Sequence, residues 1–243
     1  MEAMIHLDIL PQPDDTTCGP TCLHAVYQYY GDPIPLAKVV DEVKQFETGG
    51  TLAVFLACHA LRRGYRARIY TYNLHVFDPT WFARGPEYIE ERLLAQMDAK
   101  HDEKLRQATR GYLNFLNLGG ELRLADLTPA LLRKYLKRSI PILTGLSSTY
   151  LYRSMREYGP QCDDDDIRGF PAGHFVVLCG YNRPERLVAV ADPLMDNPMA
   201  EGQKYHVSID RVLCSILLGI VTYDANFLII EPGKRKGNND HTP

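Results

Sequence analysis

Two apolar runs, Gly173 to Tyr181 and Leu187 to Ala191, are joined by Asn182-Arg-Pro-Glu-Arg186, and this constrains the chain more than any other feature. Runs of that length and composition with turn chemistry between them form an antiparallel hairpin. In a tight hairpin the start of one strand lies beside the end of the next. His174, at the head of the first strand, is thereby set next to Asp192, which closes the second as Val188-Ala-Val-Ala-Asp192-Pro193. Taken singly, neither residue argues for chemistry: an Asp-Pro pair is an ordinary turn signal, and most strand histidines are packed residues.

The stretch Gln12-Pro-Asp-Asp-Thr-Thr-Cys18-Gly-Pro-Thr-Cys22-Leu23 gives the hairpin a partner. Asp14, Asp15, Thr16 and Thr17 are good N-cap and first-turn residues, and Leu23, Val26, Tyr27 and Tyr30 follow at helical spacing until Gly31. Cys18 is therefore expected near a helix N-terminus. Unpaired backbone N–H groups and the positive end of the helix dipole favour thiolate over thiol at such a place. Gln12, six residues upstream, has an amide able to donate to an oxyanion beside the sulfur. Cys22 falls one turn later on the same face and reads as packing.

Other readings of these residues exist. The plainest is a capped amphipathic helix with two half-buried cysteines. The Cys-Gly-Pro-Thr-Cys string is similar to the Cys-Gly-Pro-Cys redox centre of thioredoxin-like proteins, but three residues intervene where two are needed, and no strand precedes it. A zinc site from Cys18, Cys22 and His24 lacks a second ligand pair.

The rest of the chain supplies the frame. Leu36, Val39, Val40, Val43 and Phe46 predict a second helix, broken at Thr48-Gly49-Gly50-Thr51, and Leu52 to Leu61 a third, closed by Gly64. His59 within it reads as a packed or surface histidine. Tyr65 to Tyr72 reads as a strand, and Asp78-Pro79 as a turn. Pro86 to about Leu118 is helical and heavily charged, with a thin apolar stripe, and reads as an insertion packed on the main body, a solvated helical pair with no chemistry of its own in preference to a substrate lid. Thr128-Pro129 opens another helix, and Ile140 to Leu146 is a short strand. Ser147 to Pro171 is polar. Its run Asp163 to Asp166 is expected in an exposed loop, since a calcium loop spaces its ligands on alternate residues. Tyr205 to Val207 and Asn226 to Ile230 are further strands, flanking a helix that starts at Ser208-Ile-Asp210. The expected organisation is one domain over residues 1–232 with a helical insertion at about 84–138, and a disordered tail from 233 to 243.

Composition narrows the class. Of 243 residues 45% are hydrophobic and 23% charged, an ordinary globular balance, and the net charge of −3 offers no field for nucleic acid. The N-terminus lacks the basic start and apolar core of a signal peptide, and no apolar run reaches membrane-spanning length, so a cytoplasmic protein is expected. Six scattered cysteines fit reduced thiols better than a disulfide framework.

Gln12, the Asp-x-Thr-x-Cys-Gly-Pro segment from Asp14 to Pro20, the Gly-His-Phe-Val-Val segment from Gly173 to Val177, and Asp192-Pro193 together resemble the C39 and C39-like cysteine peptidases. The likeness covers roughly the first 75 residues and about Ile140 to Ile230. It implies an α+β, papain-like fold in which an N-terminal helical part carrying Cys18 packs on an antiparallel sheet. It also implies roles: Cys18 attacks, His174 is the general base, Asp192 orients it, and Gln12 with the Cys18 N–H holds the oxyanion. The expected activity is hydrolysis of a peptide or isopeptide-like amide in a peptide or protein substrate, through an acyl-enzyme, with neither metal nor organic cofactor. The same residues would serve an acyl transferase, peptide ligase or cyclase if an amine replaced water, and the same cleft would serve a catalytically silent peptide-binding module.

Overall fold

The computed structural model describes residues 3–46 and 50–233. In chain order, β1 (Ala3–Met4) is followed by the helices α1 (Cys18–Tyr29), α2 (Leu36–Glu42) and α3 (Ala53–Arg62), and then by β2 (Tyr65–Thr71). Next come α4 (Pro86–Ala99), α5 (Glu103–Asn117), β3 (Glu121–Arg123) and α6 (Pro129–Leu136). The last part holds β4 (Ile142–Ser147), α7 (Ser148–Tyr152), the short strands β5 (Glu157–Tyr158) and β6 (Asp163–Asp164), β7 (Gly173–Asn182), β8 (Leu187–Ala191), β9 (Lys204–Ser208), α8 (Ile209–Leu218) and β10 (Asn226–Pro232).

The expected hairpin lies inside one large sheet, ordered β3-β2-β10-β4-β7-β8-β9, with β1 paired to the end of β7. Only β2 and β3 run parallel; the other pairs are antiparallel. Strand β4 is buried throughout, and β7 is buried from His174 to Tyr181. Continuous apolar strands of this kind need cover on both faces, whereas the edge strand β9 alternates buried and exposed residues. Helix α1 packs on β7 and α3 on β2 and β10, so the α+β arrangement with an N-terminal helical part against the sheet is present. Gly64, at φ +88°, ends α3 in the left-handed conformation that glycine adopts without a Cβ clash.

Three expectations need correction. Helix α2 stops at Glu42, because Val43 turns extended and the chain instead lays Phe46 edge-on against Phe55, with ring centres 6.0 Å apart. The Thr48-Gly49 part of the expected break lies outside the described residues, as do residues 234–243 of the expected tail. The run Asp163 to Asp166 is not all loop: Asp163 and Asp164 form β6 and pair with β5, and α7 lies earlier in the same polar stretch. Asp163 and Asp164 are exposed there. Asp165 accepts from the Ile167 and Arg168 N–H groups and from the Arg168 guanidinium, so the acidic run satisfies itself locally.

The third correction concerns the charged helices. Helix α5 is not a solvated rod: it buries Leu105, Ala108, Tyr112 and Phe115. Its contact with α3 is close, since a Cβ on Gly111 would stand 2.7 Å from Phe55 and 2.9 Å from Val54. Beyond it, α6 buries Leu132, Tyr135 and Leu136, and β3 extends the sheet. These elements pack their apolar residues against the main body. Truncating a fully buried phenylalanine costs about 3–5 kcal/mol through lost transfer energy and the cavity left behind. Phe115→Ala should therefore lower the urea midpoint of the whole chain in a single transition; an unchanged midpoint would mean that α5 folds as a separate appendage.

Candidate active site

Cys18 is the first residue of α1. The turn before it is built by Asp14, whose Oδ1 accepts from both the N–H and the hydroxyl of Thr16 at 2.8 Å. Thr17 occupies the N-cap but makes no side-chain cap, which leaves first-turn N–H groups available. Pro20 loses nothing in this turn, where N–H groups lack helical acceptors anyway. Gly19 lets the helix start press against its neighbours: a Cβ there would stand 2.6 Å from Thr51 and 3.3 Å from Phe175. Close packing of α1 on β7 is what brings the sulfur to the sheet.

Cys22 faces the same way but is fully buried, and its thiol donates to the Phe175 carbonyl at 3.2 Å. Burial pushes this thiol well up, and the charges of Cys18 and Asp192 add to the effect. It is a packed thiol, and Cys18 is the one that reaches a cleft.

His174 is the second residue of β7 and is 6% exposed, while Asp192 lies directly beyond β8 and is completely buried. The register pairs Val177 with Ala191, which brings the two side chains together: His174 Nε2 lies 2.8 Å from Asp192 Oδ1. The charge of Cys18 also acts on the imidazole. Burial works against an imidazolium, but the charge of Cys18, the hydrogen bond to Asp192 and the charge of Asp192 outweigh it, and His174 is pushed up to about 10.

Asp192 is tied down on every side. Besides His174, Oδ1 accepts from the Leu194 N–H at 3.0 Å, and Oδ2 accepts from the hydroxyls of Tyr152 at 2.7 Å and Tyr205 at 2.8 Å. Burial opposes its charge, yet His174, the Leu194 N–H and Tyr152 hold the carboxyl below its usual range. The same carboxylate pushes both tyrosines up, after burial itself.

Gln12 is 5% exposed and its backbone N–H donates to the Pro193 carbonyl at 2.8 Å, which anchors it beside the Asp192 turn. Its Oε1, an acceptor, is buried and has no hydrogen-bond partner among the described residues. His59, in contrast, is a satisfied core residue. Tyr27 Oη and Glu42 Oε2 lie 2.8 and 3.0 Å from its two ring nitrogens. Among the described residues no group of three or more His, Cys, Asp or Glu side chains is arranged to hold a metal ion.

Cys18 lines a cleft of about 270 Å3, together with Thr51, Phe175 and Asp224. A larger hollow of about 520 Å3, lined by Phe82, Ile89, Leu116 and Arg123 among others, contains none of the four candidate residues. Sequence reading missed Tyr152, Tyr205 and Asp224. Tyr152 lies in a polar stretch, Tyr205 in a short strand and Asp224 just after an apolar run, and nothing local in the chain marks any of them.

Two outcomes test this geometry. The His174 ring, followed by NMR, should titrate well above the ordinary 6.5, and in Cys18→Ala its midpoint should move down, because the charge that favours the imidazolium is gone; an unmoved midpoint would separate the two residues. Tyr152→Phe with Tyr205→Phe removes both donors to Asp192 Oδ2. Turnover should fall by about 10–100-fold, as for other groups that orient a reacting residue, with the His174 titration altered and the chain still folded.

No curated protein matches this chain significantly. Among solved structures it is similar to the peptidase domain of Streptococcus ComA, a bi-functional ABC transporter involved in a quorum sensing pathway. The identity is 16% and the TM-score 0.43, over 93% of this chain and 99% of that one. It is similar also to a double glycine motif protease from an AMS/PCAT transporter in complex with the leader peptide, at 15% identity and TM-score 0.46, over 95% of this chain and 94% of that one. The model of the Peptidase C39 like family matches residues 4–211 of the 243, and the chain belongs to that family.

Proposed function

We propose that this chain is a cysteine peptidase hydrolysing a peptide or isopeptide-like amide, with Cys18 as nucleophile, His174 as base and then acid, and Asp192 as its orienting partner. One observation carries the reading: His174, whose imidazolium the charge of Cys18 favours, is held 2.8 Å from a buried carboxylate that three further donors fix in place. A base gripped on its far side presents its near nitrogen in one direction only.

In the reaction this implies, His174 takes the Cys18 proton and the sulfur attacks the carbonyl carbon. The carbonyl oxygen gains the electron pair and is met by the Cys18 N–H and the Gln12 amide. Collapse expels the amine, which receives the proton from His174 and leaves a thioester. Water, deprotonated by the same imidazole, then attacks the thioester, and collapse returns the thiolate and releases the acid. Asp192 stays ionised throughout and keeps the ring aligned.

The six cysteines are all unpaired, which suits a reducing compartment, and on that ground we assign the protein to the cytoplasm. No helix among the described residues is long and apolar enough to cross a membrane.

Incubation with a peptide library and an amine acceptor, read by mass spectrometry, is the test. Products that gain water are expected from the wild type and none from Cys18→Ala. Products that gain the amine would make the chain a transferase. Absence of both products and of thiol-probe labelling at Cys18 would leave a peptide-binding module.

A further inference from the structure

The cleft beside Cys18 holds a second carboxyl that the peptidase chemistry does not use. Asp224 sits just before β10 and is only 6% exposed, yet it lines the same cleft as Cys18. The fold makes room for it at a cost. A Cβ on Gly173 in β7 would collide with its Oδ2, and one on Gly145 in β4 would stand 2.8 Å from its Cβ. Glycine weakens a strand interior, so two of them in adjacent paired strands mark a place where something must come close. What comes close is this carboxyl.

Its partners are few. Oδ2 accepts from the Thr222 hydroxyl at 2.8 Å, and among the described residues the carboxyl makes no second hydrogen bond and no ion pair. Lys104 acts on it only through space. Its ammonium lies over the rings of Tyr223, at 4.7 Å, and Phe46, at 5.8 Å, and lines the same cleft. Burial pushes the carboxyl up to about 7, against the pull of Thr222, Lys104 and His174, so a nearby cation readily ionises it.

A buried carboxyl with one donor is costly to keep unless a ligand completes it. A backbone N–H would satisfy one oxygen and leave the charge unmatched. An ammonium group brings opposite charge and three donors, which a carboxylate with one protein donor can accept. We propose that Asp224 forms a subsite for a primary ammonium group of the peptide whose bond Cys18 attacks, either a lysine side chain or a free N-terminus. This rests on the peptidase reading of the same cleft.

Cys18 itself reports on the subsite through its rate of alkylation, in which the sulfur displaces chloride from a chloroacetamide. One probe carries its ammonium on a flexible alkyl chain, as lysine does; a second carries it next to an amide, as an N-terminus does; each is compared with its N-acetylated counterpart. Peptide mapping restricts the rates to Cys18. In the wild type at least one free-amine probe should react about ten-fold faster than its acetylated form, the scale of a charge-assisted hydrogen bond, and the faster probe identifies the source of the ammonium. Asp224→Asn should bring that ratio close to one. Equal rates for free and acetylated probes in the wild type, which need no variant to fold, would overturn the subsite, as would a ratio that survives Asp224→Asn. Failure of every probe to label Cys18 would remove the peptidase reading and the subsite with it.

Discussion

A carboxylate with no exposed surface, Asp192, is the group on which the rest of the site depends. An ion in that position would be prohibitively expensive in isolation, and its cost is offset only because four donors converge on it. Each donor comes from a different part of the chain: His174 from β7, Leu194 from the turn after β8, Tyr152 from α7 and Tyr205 from β9. The carboxylate therefore does two things at once. It pins the hairpin to α7 and the edge strand, and it fixes the imidazole in a single orientation, with its far side engaged.

Cys18 comes to the sheet because the start of α1 can pack very close to it. Gly19 removes the Cβ that would strike Thr51 and Phe175, and the Cys22 thiol bonds to a β7 carbonyl one turn further on. The two cysteines differ by a single turn of helix, and that turn separates a cleft from a closed core. Burial then does the chemical sorting. Cys22 is held as a neutral thiol, while the charge of Cys18 supports that of His174.

The charged helices show how composition misleads when a face is thin but well placed. Their mean character is polar, yet Tyr112 and Phe115 on α5 are buried, and Gly111 brings the backbone against α3. Asp224 follows the same logic in reverse. It is a polar residue placed inside, accommodated by two strand glycines, and its surroundings give meaning to a residue that is unremarkable in the chain.

Much of the fold was legible because its signals are local. Apolar runs and turn residues announced β7, β8, β4 and β10, and glycine and capping patterns bounded α1, α3 and α6. The four candidate residues were legible for a related reason: a hairpin places its own ends side by side, so His174 and Asp192 meet through nearest-neighbour geometry, and a helix start is visible around Cys18. The early end of α2, the core face of α5, the two tyrosines on Asp192 and the seat of Asp224 were not legible. Each depends on a surface that arrives from far away in sequence, such as Phe55 under Phe46 or Asp192 beneath Tyr152 and Tyr205. By itself the sequence determined most of the helices and strands and which side chains are candidates for chemistry, since backbone preferences and side-chain chemistry are properties of short segments. Only the tertiary structure decided which polar groups are buried together, because desolvation and hydrogen-bond partnership exist only once distant segments have excluded water between them.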